Sequence, residues 1–449
     1  MGSGRVVTSP KRGDGRMRRS DPPQDRQKNA SMANLLLVGK GGFGDLIPMF
    51  ALATALQSRG HEVLIAAESH HGAACATMGL RLSPLLSNAT ARIGKNGATS
   101  APNWGDRLRA TLAPGQIESE LEQLLPSVRW ADLVIGNQLA YAGLLACRVA
   151  DRPWVFSAAS PLAIPSRHDA PYWPHLYPYQ RRLGRLGLSQ RHFLPLARLA
   201  TSVFMRSQER LYRRLGLPLN GHPRFEGLYS SELNLLMTSP EIAPAQSDWP
   251  TSTLATGFAW FDPPFLGGAD QEQAIVEFAQ AGPPPIVFAP GGSTRVDPGA
   301  FFEQSLAAAK VTGRRSIVVA AKRFHGEFKA PNSVLVTGYF PYARLFRHAA
   351  LVVHSGGVGA LGWAARYAVP SLLIPSEWDQ FDNARRAERL GLGRILDAGD
   401  YKTTKIVESI QALDSDANVS DGLSRLAPIL SAEDGAKVAS DAVESLLAR

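Results

Sequence analysis

Cysteine is nearly absent: Cys75 and Cys147 are the only two among 449 residues. Two thiols build neither a disulfide scaffold nor a four-cysteine zinc site, which excludes the small folds that depend on them. Long hydrophobic runs are missing too. Nowhere do about 18 apolar residues follow one another, so no transmembrane helix is expected. Charged residues make up 19% of the chain and hydrophobic ones 45%, values ordinary for a soluble globular protein. No Gly-Lys-Ser/Thr follows the first glycine run, which excludes a P-loop. The chain reads as cytosolic.

Positive charge is present, but it is concentrated. Residues 1–31 hold eight Lys/Arg against Asp14, Asp21 and Asp25, which is +5 of the net +9. This segment has Gly, Pro and Ser but no apolar stretch, so it is not a secretory signal. It reads as a disordered, solvated leader or an overlong start upstream of Met32. Nucleic acid is therefore not expected as a partner, and a nucleic-acid-binding tail is the minor reading.

At about 100–200 residues per domain the length predicts two or three domains. Asn34-Leu-Leu-Leu-Val-Gly39 is the pattern of a parallel strand buried on both faces. The turn Lys40-Gly-Gly-Phe-Gly-Asp45 follows, then a predicted helix over Leu46–Arg59 and a strand at Glu62–Ala66. Strand, glycine turn, helix, strand is a βαβ unit of nucleotide-binding type. Further strands are predicted at Asp132–Ile135 and Trp154–Phe156, with a helix over Leu139–Val149 between them. Residues 161–218 differ, with ten arginines against Asp169 and Glu209. After a Pro/Gly-rich stretch, 256–268, the alternation resumes. Strands are predicted at Ile286–Ala289, Ser316–Ala320, Ser333–Val336, Leu351–His354 and Ser371–Ile374, and the last helix at Glu433–Leu447. The plan is α/β, with two Rossmann-like parallel-sheet domains facing a central cleft. Its parts are a leader (1–31), an N-terminal domain (32–255), a linker (256–268) and a C-terminal domain (269–449), whose last helix is expected to pack back on the first domain.

The most informative stretch is His354-Ser-Gly-Gly-Val-Gly359, between a strand and a helix. Amides there and the positive helix end favour an anion, and Gly356 and Gly357 let backbone approach a phosphate closely. Trp378-Asp379-Gln380-Phe-Asp-Asn383 follows the next strand, where Asp379 and Gln380 can bond sugar hydroxyls. This ordered combination resembles the nucleotide-sugar signature of family-1 glycosyltransferases of the GT-B fold, from about Asn34 to Leu447. Arg59-Gly-His-Glu-Val63 and Gly338-Tyr-Phe-Pro341 belong to the same resemblance. Within that family the chain is similar to bacterial rhamnolipid rhamnosyltransferases through Gly44, Asp45 and Pro48, the Asp248-Trp-Pro250 to Thr256-Gly-Phe258 segment, and Asp379–Ala384. Sterol glucosyltransferases share the Gly-Asp of the first turn.

The resemblance implies a metal-independent transfer with inversion at the anomeric carbon. The nucleotide-diphosphate sugar is a co-substrate, and no cofactor is implied. His354 and the amides of Ser355, Gly356 and Gly357 would balance the departing diphosphate. Ser293 and Thr294, on the matching turn, would reach phosphate or the acceptor, or else cap the next helix. Asp45 stands where many relatives place a His and would be the base, its pKa raised in a dry cleft; as an alternative it caps the helix starting at Leu46. Tyr339 or Phe340 matches the position where the family packs an aromatic or its backbone against that base, and both are expected at the donor site. His70 and His71 are read as surface residues. Many UDP-sugar enzymes of the family carry a Glu eight residues after the His, and Gly362 stands there, which favours a thymidine-type donor such as dTDP-rhamnose. Asp414-Ser-Asp416 has metal-binding spacing but lies away from any strand end.

The acceptor is expected to be hydrophobic, a lipid or a secondary metabolite, with Phe43, Tyr172 and Trp173 lining its site. Leu196, Leu199, Val203 and Phe204, interleaved with Arg198 and Arg206, predict a helix with one apolar and one basic face. Such a helix suits anionic lipid headgroups at the inner face of a membrane; otherwise it is a solvated face packed on the core. UDP-glucose transfer to a hydrophobic aglycone is the alternative activity, and a non-catalytic protein keeping the fold is a third.

Overall fold

The run Leu35-Leu36-Leu37 is wholly buried and splits by period two: Leu36 and Val38 enter one hydrophobic core, Leu35 and Leu37 another on the opposite face. A strand covered on both sides is the element such a run specifies. It is β1 (Asn34–Val38) in the computed structural model, which describes residues 1–2, 4, 32–86, 113–174, 176–185, 193–219, 221–291, 296–320 and 331–449.

The chain then forms α1 (Phe43–Ser58), β2 (Glu62–Glu68), α2 (Gly72–Thr77), β3 (Arg81–Leu85), α3 (Pro114–Trp130), β4 (Leu133–Asn137), α4 (Tyr141–Ala150) and β5 (Trp154–Ala158). Helices α5 (Tyr177–Arg185) and α6 (Phe193–Arg214) follow, then β6 (Asn234–Leu236) and β7 (Thr253–Ala255). These seven strands pair in parallel in the order β3-β2-β1-β4-β5-β6-β7.

A second alternation starts with α7 (Ala269–Gln280), β8 (Ile286–Ala289), α8 (Pro298–Thr312), β9 (Ser316–Val319), β10 (Val334–Thr337) and α9 (Tyr342–Leu345). It continues through β11 (Leu351–His354), α10 (Val358–Arg366), β12 (Ser371–Leu373), α11 (Gln380–Leu390) and β13 (Gly393–Ile395). The sheet is again all parallel, β10-β9-β8-β11-β12-β13. Ile286, Phe288, Leu351 and Val353 face one core, Val287, Ala289 and Val352 the other. Helices α12 (Thr403–Asp414), α13 (Ala417–Ala432) and α14 (Gly435–Leu447) close the chain.

Two crossings join the halves and lie side by side. Phe258 N–H donates to Glu433 Oε2 (2.9 Å), Gly435 N–H to the Phe258 carbonyl (3.0 Å), and Trp260 Nε1 to the Leu430 carbonyl (3.1 Å). Beyond the second crossing α14 returns to the first half. Ala436, Ala439 and Val443 join the core that α1 covers, and Arg59 donates to Asp441 and Glu444, each at 2.7 Å. Among the described residues no helix is long and apolar enough to cross a membrane.

Candidate active site

Both sheets have a point where the connections diverge. The chain leaves β1 for β2 on one side and later returns to β4 on the other; β8, β9 and β11 repeat this. Loops at the carboxyl ends of such strands part and leave a crevice. The glycine turn after β1 and the His354 loop after β11 occupy these two places.

In the first turn Gly41 has φ +109°, and a Cβ there would sit 2.5 Å from Asp45 Oδ2. Only glycine fits. Helix α1 starts at Phe43 rather than Leu46, so Asp45 lies in its first turn and not at the N-cap. Its Oδ2 accepts the Gly42 N–H at 2.9 Å and its Oδ1 accepts Gln138 Nε2–H at 3.3 Å. The carboxyl thus ties the helix start while remaining half-buried at the crevice. Burial raises its pKa from 3.8 to about 7, the Asp379 carboxylate adds to the rise, and the Gly42 N–H opposes it. Replacing Gly41 with Ala is expected to cost about 1–3 kcal/mol, from a strained backbone and a displaced Asp45. Urea unfolding checks this; an unchanged midpoint would mean the turn adapts freely.

Across the crevice, His354 is 1% exposed, and burial pulls its pKa down to about 3. The ring is therefore neutral at any working pH. Nδ1 accepts the Gly356 N–H at 3.2 Å, which puts the ring proton on Nε2, and that N–H donates to Ser371 Oγ at 3.1 Å. Both nitrogens are spent on the fold. The expectation that His354 donates to a phosphate gives way to a supporting role: it fixes Gly356 and anchors the loop to β12. Gly356 itself has φ +88°, and a Cβ there would lie 3.2 Å from the Gln380 carbonyl. Ser355 is buried against the turn after β8, where a Cβ on Gly291 would come within 2.9 Å of its Oγ. Gly357 is the N-cap of α10 and no side chain caps that helix. The first-turn amides therefore have no acceptor within the helix and carry its positive end.

Asp379 stands half-buried at the start of α11. Its Oδ2 accepts Asn383 Nδ2–H at 2.9 Å, and the same amide group donates to the Gly356 carbonyl at 3.1 Å. Ser160, at the end of β5 in the first half, bonds the Asp379 carboxyl and lies 3.5 Å from Asn383 Oδ1. Burial holds the Asp379 pKa above its ordinary value despite the Asn383 and Ser160 contacts. Gln380 is different from expectation. It is 3% exposed, and its Oε1 accepts the backbone N–H groups of Ser376 (2.9 Å) and Glu377 (3.0 Å). That oxygen braces the turn carrying Trp378, at φ +50°, instead of facing a sugar.

The aromatic residues divide. Phe43 from α1 and Tyr339 from the loop after β10 meet edge to face, 6.0 Å between centroids, one from each half. Phe340, expected near the donor, is fully buried against Phe265 in the second half's core. Trp173, expected at the acceptor, is buried with Leu162, Leu194, Ala197 and Phe225. Tyr172 is half-buried at a seam, its N–H on Asp382 Oδ1 (3.0 Å) and its ring under the Arg385 guanidinium (5.6 Å). His71 is not a surface residue: it is 3% exposed, packs against Phe43 at 6.1 Å, and burial lowers its pKa to about 4. Ser293 and Thr294 lie outside the described residues.

Gln138, Ser160 and Asn383 complete the site and were not among the expected residues. Gln138 was within reach of reasoning, because it follows the strand beside β1 at the same divergence. Asn383 sits inside the motif that named its neighbours. The remaining candidates have structural tasks. Lys40 is buried against Glu120 (2.6 Å), Asp414 pairs with Arg314 (2.9 Å), and Asp416 caps α13. Among the described residues no cluster of three or more His, Cys, Asp or Glu side chains could hold a metal ion.

This pair of facing parallel-sheet halves is the GT-B glycosyltransferase architecture. The glycotransferase of kitacinnamycin superposes with a TM-score of 0.71 at 18% identity, over 93% of this chain and 99% of that one. A Streptomyces glycosyltransferase complexed with thymidine diphosphate superposes at 0.58 and 19% identity, over 91% and 98%. Residues 306–444 match the erythromycin biosynthesis protein CIII-like, C-terminal domain family. In sequence the chain is 28% identical to glycosyltransferase GtfE of Amycolatopsis orientalis, over 84% of this chain and 88% of the relative. It is 26% identical to the O-mycaminosyltylonolide 6-deoxyallosyltransferase of Streptomyces fradiae (91% and 96%) and 25% to a sterol 3-beta-glucosyltransferase of Arabidopsis thaliana (91% and 67%). Its relatives and structural neighbours are glycosyltransferases of the GT-B, family-1 type, and this chain has their fold.

Proposed function

We propose that the protein transfers a hexose or deoxyhexose, rhamnose foremost, from a nucleotide diphosphate to a hydroxyl of a lipid-like or secondary-metabolite acceptor, with inversion, without a metal and in the cytoplasm. Residues 32–255 hold the acceptor and 269–449 the donor. The observation that carries this reading is Asp45, held at the β1 turn with its pKa near 7 and under the influence of Asp379 from the opposite half. Asp45 takes the acceptor's hydroxyl proton. The oxygen bonds the anomeric carbon from the side opposite the diphosphate, and the bond to the diphosphate breaks with its electron pair. Amides of Ser355, Gly357 and the first turn of α10 balance the charge that leaves. Asp379 orients the sugar, and Asn383 holds Asp379 and the phosphate loop at one spacing.

The thymidine-type donor is supported by the complex of a structural relative and by Gly362. A Cβ on that residue would lie 2.7 Å from the Phe258 ring, so no ribose-gripping carboxylate fits there. Deoxysugar transfer is supported by the name of the Streptomyces fradiae relative. The second reading, UDP-glucose transfer to a hydrophobic aglycone, is favoured by the sterol glucosyltransferase likeness.

Melting temperature against dTDP, UDP and GDP separates these readings, since ligand at about 100 times its Kd adds roughly 2.7 kcal/mol to the native state. The largest rise is expected with dTDP. A larger rise with UDP would favour the glucosyl reading, and no rise with any of the three would overturn the donor assignment.

A further inference from the structure

Helix α6 was expected to separate apolar and basic residues onto two faces, and it does not. At about 100° per residue, Leu196, Leu199, Val203, Arg206, Arg210 and Arg213 fall within one arc roughly 100° wide. Leu194, Ala197, Met205, Leu211 and Tyr212 take the other side and are buried. On the outward arc Leu196, Leu199 and Val203 are 53%, 69% and 59% exposed, and the three arginines are exposed as well. The arc is aliphatic in its first half and cationic in its second. No carboxylate of α6 itself lies within it, Glu209 being off to the side and half-buried; Arg214 also falls on the arc and is ion-paired with Glu118 of α3. Arg198 is also off the arc, bonded to Glu226 at 2.6 and 2.8 Å.

We propose that this face of α6 docks on an anionic lipid bilayer, an interaction that does not depend on what the crevice transfers. Leu196, Leu199 and Val203 enter the interfacial region while Arg206, Arg210 and Arg213 remain among the headgroup phosphates. Three large aliphatic side chains in water gain by burial, and Arg206, Arg210 and Arg213 in succession along one arc match a negative surface. A second copy of the same face is a poor occupant. A two-fold pairing would set arginines against arginines or against the aliphatic residues.

The test is sedimentation of the full chain with phosphatidylcholine vesicles, with and without phosphatidylserine, for the wild type and two double variants. Leu199→Ser/Val203→Ser removes the apolar half and Arg206→Glu/Arg210→Glu reverses the cationic half. All four residues are exposed, so melting temperatures should stay close to wild type. Binding is expected only with phosphatidylserine, weakened by salt, and each double variant should lower the partition coefficient about tenfold or more. Three outcomes overturn the proposal. One is no vesicle binding by the wild type. Another is equal binding by wild type and variants, which would assign it to another basic segment such as residues 1–31. The third is a wild-type oligomer that Leu199→Ser/Val203→Ser converts to monomer, which would assign the face to protein.

Discussion

Asp45→Asn is expected to lower kcat by about 10²–10⁴-fold, the range a positioned general base contributes, while nucleotide binding stays as in the wild type. Asparagine keeps an oxygen for the Gly42 N–H, so the helix start survives and the loss isolates the proton transfer. The pH profile supplies a second readout. The base works ionised, and its pKa is about 7, so kcat/KM should rise with pH through a limb near that value. Asp379 contributes to the elevation, so Asp379→Asn should move the limb to lower pH whatever it does to the rate. Retained turnover in Asp45→Asn with normal nucleotide binding would remove Asp45 from the reaction.

The same carboxyl carries a stability cost with a definite sign. A folded-state pKa above the ordinary 3.8 means that the native state holds its proton longer than the unfolded chain does. Stability is therefore given up as pH rises from about 3.8 through about 7 and stays reduced above that. An amide has no such dependence. Asp45→Asn should melt higher than wild type at pH 8 and close to it at pH 4, a gain in stability bought with activity.

The parts of this site that could be read from the sequence are those set by local chemistry. Apolar runs such as Leu35–Leu37 and Leu351–Val353 specify doubly covered strands, and in the glycine turns after them Gly41 and Gly356 take the positive φ that favours glycine. What stayed hidden is set by distant partners. Which way the His354 ring turns depends on Ser371, seventeen residues on, and Gln380 is claimed by the amides of Ser376 and Glu377. Tyr339 and Phe340 are adjacent aromatics that differ only in which side of the chain they take. Strands β6, β7 and β13 are three residues each and β3 contains Pro84, so pairing with neighbours creates them more than their own residues do.

Arg386→Met is expected to destabilise the fold by about 3–5 kcal/mol, the cost of leaving buried charges without their partner. Arg386 is 5% exposed on α11 and joins the two halves. Its Nε donates to Asp382 at 2.8 Å, its Nη1 reaches the Asp169 carboxylate of the first half, and it also bonds the Ile242 carbonyl at 3.3 Å. Asp382 is itself 2% exposed, so water cannot replace the guanidinium there. Burial pushes the Asp169 pKa upward, but Arg386 and Arg389 outweigh it and hold the carboxyl below 3.8. The contribution of this pairing is therefore present above about pH 3.8 and lost as pH falls through the depressed value, so the variant and wild type should converge in acid. Asp169→Asn/Arg386→Met should recover part of the loss, because it removes one of the stranded charges. Asp379 and Asn383 precede Arg386 on the same helix, so the variant should also raise KM for the nucleotide sugar. Urea unfolding at neutral pH decides the matter: a loss below about 1 kcal/mol is what a solvated surface pair gives, and it would mean that the two halves are not tied together at this point.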